Sequence, residues 1–209
     1  MSDAWAWAAL IGLGAFHGLN PAMGWLFAVA LGLQRQGMRD VLWALFPIAL
    51  GHALSIAIVV TAMGLLQLVV PGPELRWGAA LLLAAFGVYR LLARHRGRAG
   101  MQVGFGELTL WSFLMATAHG AGLMLLPVLL NMDLSTAHSA HVRSHADSLG
   151  VGVAAVIVHT AAMLVVTGAV AVVVFRWVGL AFLRRGWINV DLIWSIALIA
   201  AAVALLIPF

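Results

Sequence analysis

Four histidines, His17, His52, His119 and His159, stand inside long apolar stretches of this sequence, where an ionisable side chain is least expected. Imidazole can ligate a transition metal or exchange a proton near neutral pH. Ionisable groups at membrane depth are costly, turn toward the interior of a helix bundle and mark functional sites by default. The plainer alternative is that neutral imidazoles act as hydrogen-bond glue between helices, worth about 1 kcal/mol or less each. Four at related positions, with no Asp or Glu at midspan, favour a shared site.

The run His17-Gly18-Leu19-Asn20-Pro21 sharpens that reading. Proline lacks a donor, so Pro21 should free a carbonyl near residue 17 and open the helix locally. Asn20, three residues on, shares a helical face with His17. Together they could form a small cation site that is rich in nitrogen, of the kind that suits Zn, Cu, Fe or Ni. Ser55 lies one turn from His52, beside Gly51. Gly120, Gly122 and Pro127 follow His119, and close helix packing accounts for much of what such glycines do. Five methionines are scattered through the apolar runs without a Met-x-x-Met pair and read as core filler.

A second histidine group lies between apolar runs. His138, His141 and His145 are spaced i, i+3 and i+7, so a short helix would place all three on one face, flanked by Asp133 and Asp147. Such a tract could capture or release a divalent metal; it could equally be a polar surface helix, with Arg143 weakening its pull on cations.

The elements that must carry these residues are helices in a membrane. Of 209 residues, 64% are apolar and only 9% charged, against roughly 25% charged in a soluble domain. Six stretches, about 4–33, 41–70, 75–93, 107–131, 149–176 and 188–207, reach the roughly 20 apolar residues needed to cross a bilayer. The fold class expected is therefore all-α, a polytopic membrane protein of six transmembrane helices. Arg35, Arg39, Arg90, Arg94, Arg96, Arg98, Arg176, Arg184 and Arg185 fall in or beside odd-numbered connections, and only Arg76 and Arg143 in even ones. The positive-inside rule then puts both termini outside, and Trp5, Trp7, Trp77, Trp177 and Trp187 fall near span ends as interfacial anchors. With no basic residue ahead of the first apolar run, that segment is expected to be a retained span and not a signal peptide.

Half-chain spacing organises the histidines. His17 and His119 are 102 residues apart and His52 and His159 are 107 apart, near half the chain length. This predicts a 3+3 inverted repeat, with residues 1–99 as the first half and 100–209 as the second, which carries the His-rich outer loop 132–148. Such repeats place a substrate site near the midplane. Cysteine is absent, which excludes disulfides and thiolate metal sites. No Walker A loop is present, so ATP is not hydrolysed here, and no Arg cluster interleaved with aromatics offers a nucleic-acid groove.

With its His-x-x-Asn-Pro turn and 3+3 arrangement, the chain resembles the lysine exporter superfamily, nearest to the NicO-type nickel/cobalt transporters. The matching positions are His17 and Gly51-His52, with Ser55 near the expected serine. The family's Asp-His after the first histidine is missing, and Met23 and Gly24 stand in that stretch. The resemblance implies a transporter in a bacterial inner (plasma) membrane. The expectation is a secondary transporter of a small cation, a transition metal, and not an enzyme. His17, Asn20, His52, Ser55, His119 and His159 would form the substrate site, with His138, His141 and His145 as further metal ligands. No tightly bound cofactor is expected; the metal would be substrate. The partners are the bilayer, the cation and a second copy or a larger membrane complex. The alternatives are a non-catalytic subunit of such a complex, or a His-cluster membrane metalloenzyme.

Overall fold

The computed structural model describes residues 3–67, 69–70, 72–92, 104–137, 145–178 and 190–206, all in helices or the short turns between them. Among the described residues eight α-helices follow in order: α1 (Asp3–Leu19), α2 (Trp25–Arg35), α3 (Met38–Leu66), α4 (Gly72–Leu92), α5 (Phe105–Ala118), α6 (Ala121–Ala137), α7 (His145–Val173) and α8 (Val190–Leu206). No strand occurs among the described residues. Three helical stretches, Met38–Leu66, Gly72–Leu92 and Gly150–Val178, are long and apolar enough to cross a bilayer alone. Phe105–Ala118 and Ala121–Leu130, which meet at 54°, would make a fourth if taken together as one bent span. Ala4–Leu19 and Leu192–Leu206 are apolar but shorter than a full span.

The outer surface is compatible with helices that cross a bilayer. On α3 the exposed side chains Trp43, Phe46, Leu50, Leu54 and Ile58 recur at three- and four-residue spacing, while the opposite face buries Gly51, His52 and Ser55. A water-soluble helix would show the reverse distribution. Trp5, Trp77 and Trp177 are likewise exposed, as anchors at an interface would be.

Two stretches expected to be single helices are broken. The first breaks after Leu19. Asn20 is extended and caps a short 3-10 turn, Pro21–Met23, with its side-chain oxygen accepting from the Ala22 N–H at 3.0 Å. Gly24 then takes φ +128, and a Cβ there would meet the Ile48 side chain at 2.6 Å. The second break, at His119-Gly120, was not expected from the sequence. Gly120 sits at φ +68 beneath Phe86 and Leu198 and lets α6 leave α5 at its new angle. Both breaks use glycine where an L side chain would be strained.

Packing runs in pairs: α1 lies along α7, α5 along α3 and α4 along α8, with α3 and α7 in contact at the centre. Glycines set the closest approaches. A Cβ on Gly14 would lie 2.3 Å from the His159 carbonyl oxygen, and one on Gly18 2.5 Å from that of Met163. On the other pair, a Cβ on Gly51 would lie 2.2 Å from the Thr109 carbonyl oxygen. Helix axes this close are the usual consequence of small residues in membrane bundles. They are reinforced here by Ser112 Oγ donating to the Ile48 carbonyl at 2.7 Å.

Candidate functional site

The close packing of α1 on α7 delivers His17 to His159, with ring centroids 4.9 Å apart. Helix α3 adds His52, 5.5 Å from His17 and 5.6 Å from His159, the latter pair nearly parallel. All three rings are fully buried. His52 lies fourteen residues from either end of the 29-residue α3, and His159 fourteen from either end of the 29-residue α7. Both histidines are thus central in their helices.

Hydrogen bonds define what each ring offers. His17 Nδ1 lies 2.8 Å from the Leu13 carbonyl, which can only accept, so that nitrogen carries the proton and Nε2 of the neutral ring carries the lone pair. His17 Nε2, both nitrogens of His52 and both of His159 make no hydrogen bond within the described structure. The Leu10 carbonyl faces His159 without reaching bonding geometry. A buried polar atom without a partner costs about 1–3 kcal/mol, so this cluster is not explained as packing. Among the described residues no three His, Asp or Glu side chains already converge as a metal centre. A bound ion would require the rings to turn toward it.

His119 has a different environment. Its Nδ1 donates to the Met115 carbonyl at 2.8 Å, and its Nε2 accepts from Arg90 Nη2 at 3.1 Å. The Arg90 guanidinium has no acceptor, so the His119 lone pair is engaged. His119 reaches the trio through Trp194, which touches His17 at 4.4 Å and His119 at 5.6 Å between centroids. The Trp194 indole N–H also donates to the His119 carbonyl, and its ring stacks on Phe16 at 5.0 Å.

Asn20 and Ser55 take structural parts in this arrangement. The Asn20 oxygen is used by Ala22, leaving a buried Nδ2 that can only donate. The carbonyls that the break releases are also taken: Asn20 N–H bonds that of His17, Thr167 that of Gly18 and the Trp25 indole that of Leu19. Each oxygen expected to face a cation there thus already accepts one hydrogen bond within the protein. Ser55 donates to Thr117 Oγ1 at 2.9 Å, because the Thr117 proton is given to the Phe113 carbonyl; it ties α3 to α5. His138 and His141 lie outside the described residues; His145 opens α7, and its side chain is likewise outside them.

Two residues central to this geometry were not read as site residues in the sequence. Arg90 counted only toward orientation, and Trp194 was passed over. The available signal for Trp194 was its place inside the last apolar run, 188–207. Comparison with known protein families, curated proteins and solved structures finds no match to this chain.

Proposed function

We propose that this chain is a secondary membrane transporter of a small cation, a transition metal, bound by His17, His52 and His159. The observation that carries the reading is the fully buried trio, drawn from three helices, with five ring nitrogens left without hydrogen bonds. Groups left so at the centre of a membrane bundle are poised for a ligand. The broken first and fourth stretches beside the site are the kind of discontinuity that transporters place at their substrate. The likeness to the lysine exporter superfamily in the His-x-x-Asn-Pro run agrees with transport.

The working arrangement is six spans in two inverted halves, with both termini outside a bacterial inner membrane. Several correspondences support it: α3 and α7 have equal length with a central histidine, and α1 packs on α7 as α5 packs on α3. His17 and His119 also bond the carbonyl four residues before them in the same way. Alternating access would come from one half rocking against the other around the trio. His119, with its lone pair held by Arg90, belongs to the support of the site and not to its ligands. The outer-loop histidines, His138, His141 and His145, remain candidates for metal capture.

The test is metal accumulation and metal sensitivity in cells expressing the chain, against His17→Ala and His159→Ala versions. Loss of the native phenotype in both supports the site; unchanged transport in both discards it.

A further inference from the structure

The surroundings of the trio bear on the charge of the ion it would take. Its three donors are neutral. Of the seven acidic residues, six stand within the first three positions of a helix, and Asp133 is four residues from the end of α6. His52 and His159 are fourteen residues from their helix ends, about 21 Å along the axis at 1.5 Å per residue. Arg90, a cation, is brought toward this neighbourhood, bonded to the His119 that shares Trp194 with His17. The electrostatic cost of moving an ion from water into such surroundings rises as the square of its charge, about four times as much for a divalent as for a monovalent ion. Divalent sites ordinarily offset that cost with carboxylates or thiolates.

The donor geometry suits a small, nitrogen-accepting ion. Bonds of about 2.0–2.1 Å to three imidazoles around one ion would place the ring centroids roughly 5–5.6 Å apart. The observed separations are 4.9, 5.5 and 5.6 Å, so the ring centres already stand at about the spacing such an ion would need. His17 is already held by a carbonyl on its far nitrogen, the arrangement that orients metal-ligating histidines. Imidazole is a competent ligand for copper.

Resting on the transporter reading above, we propose that the cargo of the His17–His52–His159 site is a monovalent soft cation, Cu(I) or Ag(I), in preference to divalent nickel, cobalt or zinc. The experiment is equilibrium dialysis of the purified full chain in detergent micelles against Ag(I), and in parallel against Ni(II), Co(II) and Zn(II), in chloride-free buffer. The native chain is compared with His17→Ala and His52→Leu, with circular dichroism and gel filtration reporting the fold. His52→Leu is included because that ring makes no hydrogen bond whose loss would strand a partner.

The expected result is one Ag(I) per chain that both substitutions remove, held at least tenfold more tightly than any of the divalent ions. A divalent ion bound as tightly as Ag(I), with the same sensitivity to both substitutions, overturns the monovalent assignment and leaves the cation site standing. Binding of every ion that is indifferent to both substitutions in folded protein overturns the assignment together with the site.

Discussion

The two helix breaks begin alike and end differently. At each, a histidine near the end of the first segment bonds the carbonyl four residues back, through Nδ1 at 2.8 Å. At each, a glycine with positive φ helps redirect the chain. At the first break the histidine's Nε2 faces two more imidazoles and has no bonding partner. At the second, the equivalent atom is taken by the Arg90 guanidinium. The same local sequence device thus yields an open donor in one place and a closed one in the other. What decides between them is the neighbouring helix: α7 presents His159 to His17, whereas α4 presents Arg90 to His119.

The largest expected effect separates these two histidines directly. His17→Ala should abolish metal transport, a loss of at least tenfold, while costing only the one backbone hydrogen bond, about 0.5–1.5 kcal/mol. His119→Ala should instead act through stability, since it removes the acceptor that the buried Arg90 guanidinium bonds at 3.1 Å, at about 1–3 kcal/mol. Transport assays alongside unfolding in mixed detergent would measure both. Equal transport loss with equal stability in the two variants would erase the distinction.

Glycine substitutions come next. Gly14→Ala places a Cβ against the His159 carbonyl backbone, so α1 must move away from α7. We expect a cost of about 1–3 kcal/mol together with lost transport, because the His17–His159 contact depends on that approach. Gly120→Ala should cost about 1–2 kcal/mol of backbone strain while leaving the trio's affinity near native. Dialysis with a metal probe would distinguish them.

A third contrast has opposite signs in stability and function. His52→Leu removes two buried nitrogens that make no hydrogen bond, so stability should hold or rise by about 1–3 kcal/mol while transport falls. A large loss of stability would mean that His52 is glue. The smallest effect is expected at the strut between α3 and α5: Ser55→Ala should cost about 0.5–1.5 kcal/mol, with transport substantially retained.

Much of the fold was legible because membrane constraints are written in composition and period. The connections left between the expected stretches 4–33, 41–70 and 75–93 have counterparts in the fold, where α2 ends at Arg35, α3 runs Met38–Leu66 and α4 starts at Gly72. The histidines that meet were also legible, since an imidazole in an apolar run is conspicuous wherever it lies. The break at His119-Gly120 was not. No proline marks it, and Gly120 acquires its positive φ where Phe86 and Leu198 press on it from other helices. Asn20 was read as a ligand from its spacing to His17, but its oxygen serves the turn that follows. Spacing along one helix cannot show that a side chain has been claimed by the backbone after a break.

By itself, then, the sequence determined an all-helical chain of long apolar segments suited to a bilayer, with polar groups turned inward, because the cost of exposing polar groups to hydrocarbon acts on each segment separately. Which inward groups would share a site was decided by tertiary structure alone. Gly14, Gly18 and Gly51 set how closely the helices pair, and that approach assembled His17, His52 and His159. It gave His119 to Arg90 instead, since a lone pair is open or engaged according to what a distant stretch of chain brings within 3.1 Å of it.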